Sequence, residues 1–351
     1  MKRLFEPIRV GELTLPNRVI MAPMTRSRAN VEGMPSDLAI DYYRQRASAG
    51  LILTEATQVS PMGQGYARTP GMHSAEQAAK WGEITAAVHG AGGRIFQQLF
   101  HVGRIAHSAN RTISAPPAAP SAVRANGSVW TDSQAMQPFD EPVALTTAEI
   151  AAVIEEFAHS TRLAIQAGFD GVELHAASGY LHMQFLTPGA NRRTDEYGGN
   201  AANRARFVVE TLKAMVAAAG SPAKVGIKIS PAMMFNDCTD PNPGETYSEL
   251  GRAISPMGLS YLHVMRSSGF DIAPLRPLFN GPILLGAGFE GASAEAALAN
   301  GQADAIVFGK LFIANPDLPA RFEKGSALAE GDQSTYYTPG ARGYTDYPAL
   351  P

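Results

Sequence analysis

The sequence has 351 residues, of which 45% are hydrophobic and 17% charged, and its formal net charge is -3 at pH 7. Lys and Arg are scattered along the chain, so no basic face is predicted that would bind nucleic acid. The single cysteine, Cys238, excludes an internal disulfide and a Cys-rich metal site, and it favours a cytoplasmic setting. The N-terminus lacks the apolar run of a signal peptide, and no uncharged apolar stretch reaches about 18 residues, so we expect no membrane span.

Short apolar runs alternate along the chain with segments that have helical length and periodicity. Residues 5–16 precede this repeat and predict a small hairpin, of a kind that often plugs the bottom of a barrel. Strands are predicted at residues 19–22, 51–53, 94–100, 171–174, 224–229, 260–265, 282–285 and 305–308. Helices are predicted at residues 37–49, 75–89, 147–167, 200–219, 247–254, 272–278 and 293–299.

Eight strands alternating with helices indicate the α/β class. No Gly-x-Gly-x-x-Gly follows the first strand, which favours a (β/α)8 TIM barrel over a doubly wound sheet. No linker divides the chain, so residues 1–351 are predicted to form a single domain. Residues 105–143, after the third strand, are rich in Pro, Ser, Ala and Asn and lack periodicity. We expect this segment to be a subdomain that caps one face of the barrel.

The residues that follow the strands converge on one face of a barrel, where such folds place their active sites. These residues include no acidic pair, which disfavours glycoside hydrolysis. His101, His175 and His182 could be considered around a zinc ion, but no carboxylate has ligand spacing, so no metal site is predicted. The candidates that remain at the fourth strand are His175, Ser178 and Tyr180, with His182 one helical turn further on.

Glycines cluster at the ends of the seventh and eighth predicted strands, in Gly286-Ala287-Gly288 and in Gly309-Lys310. Barrels often hold a phosphate at these two strands on backbone N–H groups, and Lys310 would add a positive charge. Two tight turns that need positive φ are the alternative. Because both motifs occur at these two strands together, they favour a phosphorylated ligand across the barrel mouth.

Several motifs in combination resemble the Old Yellow Enzyme family, and the match spans nearly the whole chain. They are Arg-Val-Ile-Met-Ala-Pro-Met-Thr-Arg-Ser-Arg at 18–28, Tyr-Tyr-Arg-Gln-Arg-Ala-Ser-Ala-Gly at 42–50, Glu-Ala-Thr-Gln at 55–58, Gln-Leu-Phe-His-Val-Gly-Arg at 98–104, Asn-Arg-Arg-Thr-Asp-Glu-Tyr-Gly-Gly at 191–199, Asn-Arg-Ala-Arg at 203–206 and Gly-Tyr-Thr-Asp-Tyr-Pro at 343–348.

The resemblance implies a barrel enzyme with tightly but non-covalently bound FMN. Such an enzyme takes a hydride from NADPH or NADH and passes it to the β-carbon of an activated alkene. His175 would hold the carbonyl oxygen of the substrate, and Tyr180 would protonate the α-carbon. The cofactor-binding residues implied are Pro23, Met24, Thr25, Ala56, Gln98, His175, Lys228, Ala287, Gly288, Gly309, Lys310 and Tyr337. The substrate pocket implied includes Tyr66, Phe100 and Phe235.

Thr25 and Gln98 have the most defined of these cofactor roles. The Thr25 hydroxyl would meet a flavin carbonyl, and the Gln98 side chain would bind the pyrimidine edge, where polar groups orient the ring and tune its electronics. Without the family match, Thr25 would be interpreted as a strand-end hydroxyl and Gln98 as a satisfied core amide.

Three positions depart from the pattern of the family. Ser178 replaces the His or Asn that usually supplies a second donor to the substrate carbonyl, which affects the substrate that can be held. Lys228 replaces an Arg beside the flavin, so the charge is kept while the planar fork is lost, and a shifted flavin potential is expected. Phe100 replaces a Trp, which predicts a wider pocket.

We therefore predict an FMN-dependent ene-reductase that acts on a small-molecule activated alkene, as a monomer or homodimer. Two alternatives stay open at this stage. The replacement at Ser178 could mark a specialised flavin reductase or a redox-neutral isomerase with a substrate that is not an enone. The barrel could also bind FMN without catalysis.

Overall fold

The computed structural model describes all residues from 1 to 351 and is built on eight parallel strands that close into a barrel. The strands are β1 (Val19–Met21), β2 (Leu51–Leu53), β3 (Ile95–Phe100), β4 (Gly171–Ala176), β5 (Val225–Ile229), β6 (Leu262–Met265), β7 (Ile283–Gly286) and β8 (Ala305–Phe308). Each strand pairs with the next along the chain, and β8 pairs with β1 to close the circle. The predicted (β/α)8 architecture is confirmed.

The helices surround this barrel in the order that the sequence predicts. They are α1 (Leu38–Arg44), α2 (Ala75–Gly90), α3 (Thr147–Gln166), α4 (Leu181–Leu186), α5 (Ala201–Ala219), α6 (Pro243–Ile254), α7 (Gly291–Ala299), α8 (Lys310–Ala314) and α9 (Leu318–Lys324). Capping residues set several of their starts: the side chains of Ser74, Thr146 and Asn200 accept hydrogen bonds from the first turns of α2, α3 and α5. None of the helices is long and apolar enough to cross a membrane.

Three of the predicted helices differ from the structure in length or type. Helix α1 ends at Arg44 instead of residue 49. Helix α6 begins at Pro243 instead of residue 247, because the Asn242 side chain caps the N–H of Glu245 and Pro243 takes the first helical position. The segment after β6 forms a 3₁₀ helix, Ala273–Leu278. Pro277 lies inside it and cannot donate the backbone hydrogen bond that an α-helix would need.

The predicted N-terminal hairpin is also confirmed, with Ile8–Val10 antiparallel to Leu13–Leu15. Val10 and Leu15 are fully buried against side chains that point into the barrel, among them Leu51, Phe96 and Leu284. The hairpin therefore closes the end of the barrel at which the strands begin, and any ligand has to enter from the opposite end.

The irregular residues between β3 and α3 contain two short strand pairs. Ser128–Thr131 and Ala135–Pro138 form a hairpin, and Ala118–Ala119 lies parallel to Val143–Ala144. Val129 and Phe139 of this segment pack in one apolar cluster with Phe100 at the end of β3. The description of residues 105–143 as a capping subdomain stays a prediction.

Candidate active site

Two cavities adjoin at the end of the barrel where the strands finish, with volumes of about 750 and 880 Å³. Thr25, in the loop after β1, and Tyr337, near the C-terminus, line both of them. We name the smaller one the strand-end cavity, because the ends of β1, β5, β6, β7 and β8 form its walls. The larger one, the mouth cavity, is lined mainly by loops, including the hairpin 128–138.

The strand-end cavity contains most of the residues predicted to bind the cofactor. Those that line it are Pro23, Met24, Thr25, Lys228, Ala287, Gly288, Gly309, Lys310 and Tyr337. Ala287 and Gly288 both have positive φ, 75° and 72°, so the chain turns sharply where β7 ends. Arg266 donates to the carbonyl oxygen of Ala287 at 2.7 Å and brings a second cation to this turn, opposite Lys310 at β8.

The donors in the strand-end cavity suit an electron-rich, phosphorylated cofactor such as FMN. Lys228 is only 7% exposed and has no acceptor within the protein, and burial lowers the pKa of its ammonium group. A buried cation without a hydrogen-bond acceptor is costly, and an electronegative ring edge would supply the missing acceptor. At the other side of the cavity the turn at Ala287 and Gly288, together with Lys310, offers backbone and charge to a phosphate.

The mouth cavity is lined by aromatic side chains from segments that are distant in sequence. Tyr66 follows β2, Trp130 lies in the hairpin, Tyr180 follows β4, and Phe235 lies between β5 and α6. Phe235 is 53% exposed and Tyr337 is 61% exposed, so the rim of the cavity is apolar and open. This surface suits a small, largely apolar ligand.

His175 lies near the end of β4 and is buried, so it lines neither cavity directly, but its neighbours line both. Its register partner on β5 is Lys228, which lines the strand-end cavity, and its ring packs edge-on against Tyr180 with the centroids 4.9 Å apart. Burial holds the pKa of His175 well below its usual value, and Lys228 lowers it further. The N–H of Ala177 donates to Nδ1 at 3.3 Å. The neutral ring therefore carries its proton on Nε2, where it can donate to a ligand.

Tyr180 immediately precedes α4 and is held by a second tyrosine. Its hydroxyl donates to the oxygen of Tyr66 at 3.0 Å, and the two rings pack edge to face. Burial raises the pKa of Tyr180 well above its ordinary value, and the neighbouring Tyr66 raises it further. The phenol is therefore protonated at neutral pH and can act as a proton donor.

Ser178 lies in the turn between His175 and Tyr180 but lines neither cavity. Its φ is +55°, and its hydroxyl faces the sulfur of Met265 at 4.0 Å. Its N–H donates to the hydroxyl of Ser230 at 2.8 Å, and its carbonyl accepts from the amide of Asn236 at 2.9 Å. The backbone of this turn is thus fixed, while the side chain points away from the mouth cavity.

His182 does not replace the donor that is missing at position 178. It is fully buried, stacks on Phe207 with the centroids 4.5 Å apart, and contacts the hydroxyl of Thr211 at 3.2 Å. His101 is equally buried, and burial lowers its pKa to about 3. Both histidines are neutral core residues, and no group of three or more His, Cys, Asp or Glu side chains could hold a metal ion.

Some predicted site residues do not line the cavities directly. Ala56 and Phe100 pack in the apolar cluster that Tyr66 and Tyr180 also contact, so they form the wall behind those tyrosines. Gln98 is 1% exposed, and its amide nitrogen donates to Glu173 at 2.6 Å. Gln98 therefore belongs to the barrel interior. Its register partner on β4 is Glu173, and His175 follows Glu173 by two residues on the same strand.

The sequence interpretation missed two polar residues at this site, Glu173 and His263. Glu173 lies in β4 and His263 in β6, and both segments had been interpreted as apolar strands. His263 lines the strand-end cavity, and its Nδ1 lies 2.9 Å from a Glu173 oxygen. The sequence contained a signal for both residues, because an ionisable side chain in the middle of a buried strand needs a polar or charged partner.

The fold and the two cavities define a barrel oxidoreductase with a site for a flavin. The sequence profile of the NADH:flavin oxidoreductase / NADH oxidase family matches residues 3–329. The chain belongs to this family, as the resemblance to the Old Yellow Enzyme predicted.

Similar proteins agree with this placement over nearly the full chain. A protein of Leishmania infantum named probable flavin mononucleotide-dependent alkene reductase is 40% identical over 99% of this chain and 97% of its own length. The structure of the Old Yellow Enzyme homologue from Zymomonas mobilis has a TM-score of 0.96 at 38% identity and covers 99% of both chains. Morphinone reductase in complex with tetrahydroNAD has a TM-score of 0.95 at 43% identity, covering 100% of this chain and 98% of that one. The predicted enzyme class is confirmed, and the non-catalytic alternative and the isomerase are not favoured.

Proposed function

We propose that this flavin oxidoreductase is an ene-reductase for α,β-unsaturated carbonyl or nitro compounds. The observation that carries the proposal is the pairing of His175 and Tyr180. A neutral imidazole with a free Nε2–H lies beside a protonated phenol that lines the mouth cavity. These are the two donors that reduction of an activated alkene requires, one for oxygen and one for carbon.

The strand-end cavity would hold FMN through residues of five strand ends. Lys228 would meet the electron-rich edge of the ring, Thr25 a flavin carbonyl, and the turn at Ala287 and Gly288 the phosphate, together with Lys310. When bound, FMN would supply the hydride chemistry that links NADPH or NADH to the β-carbon of the alkene.

His175 would bind the carbonyl or nitro oxygen of the substrate. Negative charge grows on that oxygen as the β-carbon gains a hydride, so a fixed N–H donor stabilises the transition state more than the ground state. The ring is already oriented, because Nδ1 is occupied by the N–H of Ala177 and the faces are packed near Phe100 and Tyr180. No reorganisation is needed when the charge develops.

Tyr180 would deliver a proton to the α-carbon and would then be a phenolate. The Tyr66 hydroxyl, 3.0 Å away, can reverse its hydrogen bond and donate to that phenolate. Because Tyr66 also lines the open mouth cavity, it can pass a proton inward from water. Tyr66 therefore supports the return of Tyr180 to its protonated form.

The mouth cavity would set which alkenes are accepted. Its volume of about 880 Å³ and its exposed rim at Phe235 and Tyr337 suit a substrate with apolar bulk beyond the reacting carbons. Phe100 packs against the ring of Tyr180 and forms part of the wall behind it. Because Ser178 faces Met265, the substrate oxygen would depend mainly on His175.

Anaerobic half-reactions test the proposal directly. Purified protein should be yellow, should be bleached by NADPH or NADH, and should regain the flavin band when 2-cyclohexenone or a nitroalkene is added. A colourless protein that does not bind added FMN, or a reduced enzyme that neither alkene reoxidises, would refute it. Size-exclusion chromatography of the same sample would test the predicted monomer or homodimer.

A further inference from the structure

A buried carboxylate lies inside the barrel directly next to the proposed flavin site. Glu173 is fully buried, and its two oxygens contact two different side chains. The amide nitrogen of Gln98 donates to one oxygen at 2.6 Å, and Nδ1 of His263 lies 2.9 Å from the other. None of the roles proposed above uses this carboxylate.

The strand register explains how three side chains from separate strands meet. Glu173 on β4 is opposite Gln98 on β3 and Gly226 on β5. A Cβ at Gly226 would lie 2.3 Å from the ring of Tyr261, so glycine there leaves room for that ring beside the carboxylate. His263 on β6 is the register partner of Lys228. Glu173 thus lies one layer deeper in the barrel interior than His175 and Lys228, and Lys228 lines the strand-end cavity.

The two contacts of Glu173 determine which atoms of Gln98 and His263 remain available to a ligand. Since the amide nitrogen of Gln98 is turned to Glu173, its amide oxygen is left without a partner in the protein and can accept from a ligand. Burial lowers the pKa of His263 more than the neighbouring Glu173 raises it, so the ring is neutral at pH 7. With the proton on Nδ1 and shared with Glu173, the Nε2 of His263 is a lone pair at the wall of the strand-end cavity.

We propose that Glu173 is a positioning residue of the flavin site. It orients the acceptor atoms of Gln98 and His263, and its negative charge offsets that of Lys228. The inference rests on the proposed cofactor role of the cavity. It predicts that two neighbouring residues of opposite charge move the flavin midpoint potential in opposite directions, a result that a purely structural role for Glu173 would not produce.

The direction follows from simple electrostatics. Reduced flavin carries more negative charge than oxidised flavin, so a nearby cation stabilises the reduced form and a nearby anion destabilises it. Glu173→Gln removes the anion at nearly constant volume and should raise the potential. Lys228→Met removes the cation and should lower it. In Glu173→Gln the new amide nitrogen also faces His263, which should shift the imidazole proton from Nδ1 to Nε2.

The experiment measures the flavin midpoint potential of each holoprotein by equilibration with a reference dye, and the dissociation constant of the apoprotein for FMN by fluorescence quenching. ¹⁵N chemical shifts of His263 report its tautomer. Asp170→Asn is the matched control, because Asp170 is a carboxylate that precedes β4 at the opposite end, where it binds His89 and the N–H of Ile95. Its potential should equal that of the wild type.

A higher potential in Glu173→Gln, a lower one in Lys228→Met and no change in Asp170→Asn are expected, with weaker FMN binding in Glu173→Gln. Glu173→Asp keeps the charge and serves as the second variant if Glu173→Gln does not fold. Its potential should stay near that of the wild type. An unchanged potential in folded, FMN-loaded Glu173→Gln would overturn the inference and leave the proposed function intact. A wild-type protein that binds no FMN would instead overturn the proposed function.

Discussion

Replacing Tyr180 with Phe tests the division of roles between the two donors. The change removes one hydroxyl from a packed ring, so the contacts with Phe100 and His175 are kept. General acids contribute about 10²- to 10⁴-fold. The mouth cavity is open at Phe235 and Tyr337, so water can reach the α-carbon, and we expect the lower end of that range. Reoxidation should slow by about 100-fold, which is about 2.7 kcal/mol.

Anaerobic stopped-flow kinetics separate the two half-reactions. Flavin reduction by NADPH or NADH needs no phenol and should stay within about twofold of the wild type in Tyr180→Phe, while reoxidation by 2-cyclohexenone falls by about 100-fold. Tyr66→Phe is the matched control, since it keeps the acid and removes only its partner. The loss of about 1 kcal/mol for one hydrogen bond corresponds to about fivefold slower reoxidation. Equal losses in both half-reactions, or no loss in reoxidation, would refute the assignment of Tyr180 as the acid.

Three further outcomes are expected. His175→Ala should slow reoxidation by enones about 10²- to 10³-fold, and His175→Asn, which keeps an N–H donor, should recover part of that rate. If stopped-flow assays give the Ala and Asn variants the same reoxidation rate, the role of His175 as donor is contradicted. Ser178→Asn should keep the thermal unfolding temperature, because φ at this position is +55° and Asn tolerates that region. It should speed reoxidation about tenfold by adding a second donor to the substrate oxygen, and an unchanged reoxidation rate would contradict the view that this oxygen lacks a second donor. The pKa of His101 is near 3 in the folded protein and about 6.5 in the unfolded chain, so the unfolded state binds a proton more readily. The contribution of His101 to the free energy of unfolding is therefore fully present above pH 6.5 and is lost as the pH falls towards 3. Urea unfolding should show about 2 kcal/mol less stability from this group at pH 5 than at pH 8, and a fully folding His101→Gln variant that loses as much stability between those pH values would contradict it.

The barrel itself could be predicted because each strand and helix carries its own local pattern. The runs at β1 to β8 are short and mostly apolar, and the helix starts at Ser74 and Thr146 have capping residues that act within one turn. The start of α6 was missed because Asn242 and Pro243 follow an irregular stretch, although they are a recognisable capping pair. Patterns that act over three or four residues are visible in a sequence.

The site was only partly predictable, because its remaining features depend on contacts between distant strands. His175 and Tyr180 are found by their place after β4, but the direction of the Ser178 hydroxyl depends on the φ of one residue and on Met265, which lies on another strand. The burial of His182 between helices also could not be known from its spacing. Glu173 acquires its partners only when β3, β4 and β6 are brought into register.

The two cavities meet at Thr25 and Tyr337 but are otherwise built from different parts of the chain. The strand-end cavity is formed by strand ends, which the barrel holds rigidly. The mouth cavity is formed mostly by connecting loops, which tolerate insertion and exchange. Grafting the hairpin 128–138 or the loop around Phe235 from a relative should therefore change the range of alkenes accepted while the affinity for FMN stays constant. The architecture allows substrate scope to diversify, in evolution or in the laboratory, without rebuilding the redox centre.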